Sequence, residues 1–202
     1  MNLLERMSAY QRDASWAVWP TDDGGNLTGE SQFPEVEARG ILREQAMIVS
    51  LNPSGIRAAD GSERAGPWSN FHSPNKVHND DFLASALVHT RLWGCFMTDL
   101  HPTIWESDSR KLGRIPSSAI DQAVATLVEQ ARLLGEVQLI VAVGSATHRH
   151  LQKRLPVIRE QLGNPNLRLV RIPHYSKANA RVHKQRRDTY RALVEDVLAD
   201  NG

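Results

Sequence analysis

Four short apolar runs constrain the fold of this chain more than any other feature of its sequence. They cover residues 46–51, 94–98, 137–143 and 167–172. Each run has the length and composition of a buried strand, and polar, Pro or Gly residues follow it directly. We therefore expect four strands, each of which ends at a turn.

Helical patterns separate these strands. From residue 118 onward, apolar residues recur at the spacing of one helical face, with Ser118 and Asp121 spaced as in a capping box. Residues 190–198 carry a second such face. Alternating strands and helices predict an α/β protein, a three-layer α/β/α sandwich around a short, mostly parallel four-stranded sheet.

Length and composition fit one folded domain. The chain has 202 residues, of which 41% are hydrophobic and 23% charged, unlike a disordered chain. Residues 1–34 are expected to form a peripheral helix, which runs to Trp19, and then a long polar loop. Residues 35–202 are expected to form the α/β domain.

The charge balance and the single cysteine exclude several classes. A net charge of +1 excludes a strongly basic protein that binds nucleic acid or membrane through its whole field. Cys95 is alone, so it forms no intrachain disulfide and holds no thiolate-ligated iron–sulfur cluster. Glu5 and Arg6 interrupt the start of the chain, where a secretory signal would be apolar. We expect a cytoplasmic protein without a membrane partner.

Chemistry in an open α/β sheet is expected at the carboxyl ends of its strands. The residues that follow the four runs begin with Asn52, Asp99, Gly144 and His174. If the strands are parallel, these residues share one edge of the sheet. That edge is the predicted functional site.

Two of these ends carry side chains suited to catalysis, although each also fits an ordinary structural role. Asn52 can orient a water molecule, but with Pro53 it also suits a simple turn. His174 can donate a hydrogen bond to a developing anion, and Ser176 can hold a phosphate with its neighbouring amides. The alternative is a surface imidazole followed by a helix cap.

The order of these motifs resembles the uracil-DNA glycosylase superfamily. That family pairs a first-strand Gly-x-Asn-Pro-Gly with a last-strand His-Pro-Ser, and the matching segments here are Ser50-Leu-Asn-Pro-Ser54 and His174-Tyr-Ser176. The segment 68–71 resembles the part that supplies an aromatic ring, and Asp99 occupies the base-reading strand end. The resemblance covers roughly residues 47–198.

The resemblance implies a monofunctional DNA glycosylase that cleaves the N-glycosidic bond of a damaged or deaminated base with water. Asn52 would position the water, and His174 would hydrogen-bond the departing base. Phe71, with Trp68 nearby, would stack on the base that has been rotated out of the helix. No metal and no cofactor is implied, and the expected partner is single- or double-stranded DNA.

Four positions depart from the family pattern. Ser50 and Ser54 replace its glycines, and Tyr175 replaces its proline. Asp99 stands where the family often has Asn, and an ionised carboxylate cannot donate a hydrogen bond to uracil O4. A base edge with two donors, as in a guanine-like ring, fits Asp99 better. A nucleobase- or nucleotide-binding module, or an enzyme of free nucleotides or RNA, is the alternative.

A basic segment follows the last motif. Residues 177–187 contain five Lys or Arg side chains and no acidic one. Such a run is usually a solvated surface, but its position favours contact with phosphates. The predicted phosphate-binding set joins this segment to the two motifs: Ser54, Ser176, Lys177, Arg181 and Lys184. Histidines elsewhere lack metal-ligand spacing, so we expect no metal site.

Overall fold

The structure is a computed structural model that describes residues 2–53, 66–73, 78–104, 115–176 and 179–199. Short helices flank the first strand, and longer helices alternate with the later ones. The strands are β1 (Ala14–Trp16), β2 (Arg43–Ser50), β3 (Cys95–Asp99), β4 (Leu139–Val143) and β5 (Arg168–Ile172). The α-helices are α1 (Leu3–Arg6), α2 (Glu35–Ala38), α3 (Asp80–Leu87), α4 (Ser117–Leu134), α5 (Ser145–Leu162), α6 (Ala180–His183) and α7 (Arg187–Ala199).

The five strands form one sheet in the order β1-β3-β2-β4-β5. Neighbours among β3, β2, β4 and β5 pair in parallel, while β1 pairs antiparallel with β3. The α/β class and the mostly parallel sheet are therefore confirmed. The four strands predicted from the apolar runs are all present.

The predicted strand count was wrong, because β1 adds a fifth strand. The helix expected to run to Trp19 ends at Arg6, and a single 3-10 turn follows it. Trp16 lies in β1 and is fully buried. A short isolated helix is marginally stable, so pairing with β3 and burial of the Trp16 ring outweigh the weak helical spacing.

The predicted capping box at Ser118 was also wrong. Helix α4 begins at Ser117 with Pro116 at its N-cap, and no side chain caps it. Asp121 therefore lies too far into the helix to close a box with Ser118. It pairs instead with Arg154 of α5, at 2.6 Å between Oδ1 and Nε. The last predicted helix is confirmed as α7.

Buried side chains alternate between two hydrophobic clusters along the strands. Met47 and Val49 belong to the first cluster, together with residues of α4 and α5. Ala46 and Ile48 belong to the second, together with residues of α3 and α7. This period of two is typical of a sheet that is buried on both faces.

No helix among the described residues is both long and apolar enough to cross a membrane.

Candidate functional site

The four parallel strands end along one edge of the sheet. Ser50, the last residue of β2, is in register with Asp99, the last residue of β3. Strand β4 lies between β2 and β5. Because neighbouring strands are about 4.8 Å apart, the ends of β2 and β5 are separated by roughly 10 Å. This edge carries the side chains that the sequence singled out.

Asn52 lies two residues beyond β2, and its amide links two loops. Its Nδ2 donates to the backbone oxygen of Pro53 at 2.8 Å and to that of Ile104 at 3.1 Å. Ile104 belongs to the turn after β3, where its N–H bonds the carbonyl of His101. These two bonds fix the amide plane, so the acceptor Oδ1 has a defined direction.

Hydrogen bonds hold the segment after β5 on several sides. The Tyr190 hydroxyl donates to the carbonyl of Pro173 at 2.9 Å, and Asn79 Nδ2 donates to that of Tyr175 at 2.9 Å. His183 Nε2 lies 3.2 Å from the carbonyl oxygen of Ser176. The segment that carries His174 is thus fixed by side chains from three other parts of the chain.

The His174 imidazole has a defined tautomer. Its Nδ1 accepts a hydrogen bond from the backbone N–H of Ser176 at 3.1 Å, so a neutral ring carries its proton on Nε2. Burial, together with a smaller contribution from the nearby His183, lowers the pKa of His174 to about 4. At neutral pH the side chain is therefore an uncharged donor.

Gly144 allows the chain to pass close to His174. It has φ of +85°, in the left-handed region. A Cβ at this position would lie 3.5 Å from Cβ of His174. Its N–H also bonds the carbonyl of Ile172 at 2.9 Å, which joins the ends of β4 and β5.

Phe71 and Trp68, the two aromatic candidates, belong to different clusters. Phe71 is buried in the second cluster, which also contains Tyr175. Trp68 is buried in the first cluster and packs against Trp16, with ring centroids 5.8 Å apart. Both have positive φ, +66° for Phe71 and +60° for Trp68. Phe71 is therefore the aromatic ring on the side of Tyr175 and His174.

Asp99 is buried at the end of β3 and is bonded to Asn70. Asn70 Nδ2 donates to Asp99 Oδ2 at 2.9 Å and to the carbonyl of Asp13 at 2.8 Å. The Ser50 hydroxyl, in register with Asp99, is also buried and has no hydrogen-bond partner among the described residues. Asp99 and the side-chain Oδ1 of Asn70 make the end of β3 rich in hydrogen-bond acceptors.

A second carboxylate, which sequence reasoning did not assign to the site, lies beside Tyr175. Asp80 accepts a hydrogen bond from the Tyr175 hydroxyl and from the Ser73 N–H, the latter at 2.8 Å. Burial raises the pKa of Asp80 to about 7. Burial also raises the pKa of Tyr175, and the charges of Asp80 and Asp99 raise it further. An acid at a helix start is ordinary, so the sequence did not distinguish Asp80 from Asp81.

The predicted phosphate-binding residues are only partly described. Ser54 and Lys177 lie outside the described residues. Ser176 is partly buried, and its hydroxyl accepts from Asn179 Nδ2 at 3.3 Å. Arg181 and Lys184 are exposed, on α6 and just after it.

The basic segment is anchored at its centre by His183, which is fully buried. The His183 ring packs edge-on against Phe82 and Tyr190, with centroids 5.4 and 5.9 Å away. Arg187 pairs with Asp81 of α3. The exposed cations are therefore displayed on a fixed turn beside the segment that carries His174.

No group of three or more His, Cys, Asp or Glu side chains suited to a metal ion occurs in the described part of the chain.

Comparison of the chain with models of known protein families finds no match, and comparison with curated proteins finds none either.

Proposed function

We propose that this protein is a DNA base-excision glycosylase that cleaves the N-glycosidic bond of a damaged or deaminated base with water. The observation that carries the proposal is the state of His174. It is neutral, its Nδ1 is occupied by Ser176, and its Nε2–H is the donor. A donor of this kind, at the edge where a ligand is expected, suits a leaving group that gains negative charge.

The proposed reaction breaks one bond and forms one bond at the sugar. The C1′–N bond breaks, and its electron pair leaves with the base. The oxygen of water then bonds C1′. One proton of that water stays on the new C1′ hydroxyl, and the other is taken up by the base anion. Asn52 Oδ1 accepts a hydrogen bond from the attacking water, a role supported by the two bonds that orient its amide. His174 Nε2–H stabilises the anionic base.

Phe71 and Asp99 are the base-binding residues of this proposal. Phe71 stacks on the base after it has rotated out of the helix. Asp99 and the Asn70 carbonyl oxygen present acceptors, and the arrangement suits a base that donates two hydrogen bonds. Xanthine or another guanine-like ring fits this better than uracil. We infer a three-layer α/β/α arrangement for the domain, supported by the two clusters that the sheet separates.

The test is release of base from a panel of oligonucleotides. Uracil, hypoxanthine and xanthine are each placed in single strands and in mismatched duplexes, and free base is measured by chromatography. We expect release of the guanine-like base first. His174→Ala is expected to slow release by about 10²–10³-fold, as does loss of one donor to a developing anion. Asn52→Ala is expected to slow it comparably.

The same panel contains its control. Thr147 lies on α5, near this edge of the sheet, and Thr147→Ser keeps the hydroxyl that donates to the carbonyl of Val143. It is expected to excise at the rate of the natural chain. If no substrate loses base under conditions where the protein binds DNA, the proposal is wrong.

DNA contact through the basic segment is tested separately by salt. Arg181→Gln and Lys184→Gln are each expected to reduce the slope of log affinity against log salt by about 1. A slope unchanged in both variants would remove this segment from the interface.

A second candidate is a nucleobase- or nucleotide-binding module, or an enzyme that acts on free nucleotides or RNA. The buried Asn70–Asp99 pair favours it. The carboxylate of Asp99 only accepts hydrogen bonds, whereas the amide that the resembled family often places there also donates them. Calorimetry with free xanthine and with guanine nucleotides distinguishes the two. Binding of either ligand, with no base released from any DNA, supports the second candidate.

A further inference from the structure

The contact between Asp80 and Tyr175 has no role in the chemistry proposed above. Asp80 is the first residue of α3, and Tyr175 follows His174. Their exposed fractions are 7% and 6%. Burial of a carboxylate is unfavourable unless hydrogen bonds compensate for lost hydration. Here two hydrogen bonds offset part of that cost, and their donors come from the two segments that border the candidate site.

One carboxylate group connects these segments. Asp80 Oδ2 accepts from the N–H of Ser73, two residues after Phe71. The Asp80 side chain also accepts from the hydroxyl of Tyr175, one residue after His174. The preceding residue of the chain, Asn79, adds a third bond by donating to the carbonyl of Tyr175.

We propose that Asp80 is a positioning residue, which holds the segment of Phe71 and the segment of His174 at a fixed separation so that a base fits between them. The inference rests on the proposed function, in which these two side chains contact the base. Asp80 itself touches neither base nor water. It acts through Tyr175 and through the backbone of Ser73.

The link continues from Tyr175 to His174 through ring contact. The His174 and Tyr175 rings are stacked, with centroids 5.0 Å apart and planes inclined by 29°. A shift of the Tyr175 ring therefore displaces the His174 imidazole. Tyr175 replaces the proline of the resembled family, whose ring would restrain the backbone locally. Here, Tyr175 is restrained by donating its hydroxyl proton to Asp80 and by accepting at its carbonyl from Asn79.

The other end of the Phe71 segment is held in the same manner. Asn70, one residue before Phe71, donates to Asp99. Ser73, two residues after it, donates to Asp80. Phe71 thus lies between two residues that are fixed by buried carboxylates. Burial raises the pKa of Asp80 to about 7, and the Ser73 hydrogen bond acts in the opposite direction by favouring the ionised form.

The first test measures the position of His174 directly and needs no substrate. Three variants of the full chain are compared: Tyr175→Phe, Asp80→Ala and Asp80→Asn. With ¹⁵N-labelled histidine, the ring-nitrogen signals of His174 are expected to shift in Tyr175→Phe and Asp80→Ala. Asp80→Asn, which keeps one acceptor and gains a donor, is expected to lie closer to the natural chain.

Tyr10→Phe is the matched control for loss of a hydroxyl. Tyr10 packs against the first cluster, away from Asp80. It is expected to leave the His174 signals unchanged. If Asp80→Ala does not fold, Tyr175→Phe still decides the point, since it removes one hydroxyl and keeps the ring. Unchanged His174 signals in folded Tyr175→Phe would overturn the proposal.

The second test is a double-mutant cycle on base release. Tyr175→Phe and Asp80→Ala are each expected to slow release by about tenfold, the effect of about 1.4 kcal/mol. The double variant is expected to be no slower than Asp80→Ala, because both remove one shared contact. If the slowing in the double variant equals the product of the slowing in the two single variants, the two residues act independently and the proposal is wrong.

The two proposals fail in different ways. If the natural chain releases no base from any oligonucleotide, the proposed function is wrong, while the His174 signals still measure the positioning by Asp80. If base is released but the His174 signals do not shift and the double-mutant cycle shows no coupling, the glycosylase proposal is supported and the proposed role of Asp80 is wrong.

Discussion

Thr98 and Asp99 are neighbours in β3 that face opposite sides of the sheet, and their surroundings differ sharply. Thr98 accepts a hydrogen bond from Gln130 of α4 at 3.3 Å, among the apolar residues of the first cluster. Asp99 is bonded to Asn70 and lies within electrostatic range of Asp80 and Tyr175. On the side of the first cluster Thr98 is paired with a neutral amide, whereas the side of the second cluster concentrates ionisable groups.

Under the proposed function, this difference assigns stability to one side of the sheet and chemistry to the other. Neutral polar pairs inside an apolar cluster stabilise the fold without responding to pH. Buried carboxylates and imidazoles cost hydration energy, and proteins often tolerate this cost at functional sites. We therefore expect substitutions on the first side to change stability alone, and substitutions on the second side to change pH dependence or specificity.

The largest effect on stability is expected from the first side. Leu151 of α5 is fully buried in the first cluster, and Leu151→Ala should reduce the free energy of unfolding by about 2–5 kcal/mol. Urea denaturation measures this loss. Base release per folded molecule should stay unchanged, and a specific fall in rate would show that the two sides are coupled.

A pH-dependent loss of stability is expected from His72, next to Phe71. Burial lowers its pKa to about 4, below the ordinary value of 6.5. The stability from its neutral form is therefore present above pH 6.5 and is lost as pH falls through 4, by about 3 kcal/mol. His72→Gln should flatten this slope in unfolding curves recorded between pH 7 and 4.

Asp80 makes stability depend on pH in the opposite direction to His72. Its pKa is about 7 in the folded chain and 3.8 ordinarily. Its contribution is thus most favourable below pH 3.8 and is lost as pH rises through 7. Asp80→Asn should remove that second dependence. Because the two dependences oppose each other between pH 4 and 7, the variants and not the natural chain decide the point: stability curves against pH that neither His72→Gln nor Asp80→Asn alters would contradict both shifts.

A smaller effect, on specificity, is expected from Asp99→Asn. The new amide can keep an acceptor for Asn70 and gain a donor suited to uracil O4. Release of uracil relative to xanthine should rise by about tenfold. The ratio is measured on matched oligonucleotides, and an unchanged ratio would mean that Asp99 does not contact the base.

The smallest effect is expected one residue earlier in the same strand. Thr98→Val removes the acceptor of Gln130 and should cost about 1 kcal/mol of stability. Its effect should be equal at pH 5 and pH 8. A change in the uracil-to-xanthine ratio in this variant would contradict the separation of the two sides.

The sequence predicted the parallel strands well because each is a contiguous apolar run with its own turn. Apolar content alone distinguishes such a run from its surroundings. Strand β1 was missed for the opposite reason. It has three residues, and its pairing with β3 depends on a partner about 80 positions away in the chain, which no local pattern reports.

The candidate site was predictable only where a strand end carries its residue. Asp99 ends β3, and Asn52 and His174 lie two residues beyond β2 and β5, so strand topology was sufficient to place them along one edge. Asn70, Asp80 and the hydroxyl of Tyr175 lie in loops or at a helix start. Their roles come from hydrogen bonds between distant segments, and nothing in their local sequence encodes those partners.

Gly144 has a consequence for how this sequence can vary over time. Any other residue there would have to adopt φ near +85° and would place its side chain against His174. In a scan of all single substitutions, position 144 should therefore be among the least tolerant on the sheet edge, although glycine has no side chain with which to touch a ligand. A substitution at this one position would strain the backbone beside the imidazole before any of the proposed base-binding residues had changed.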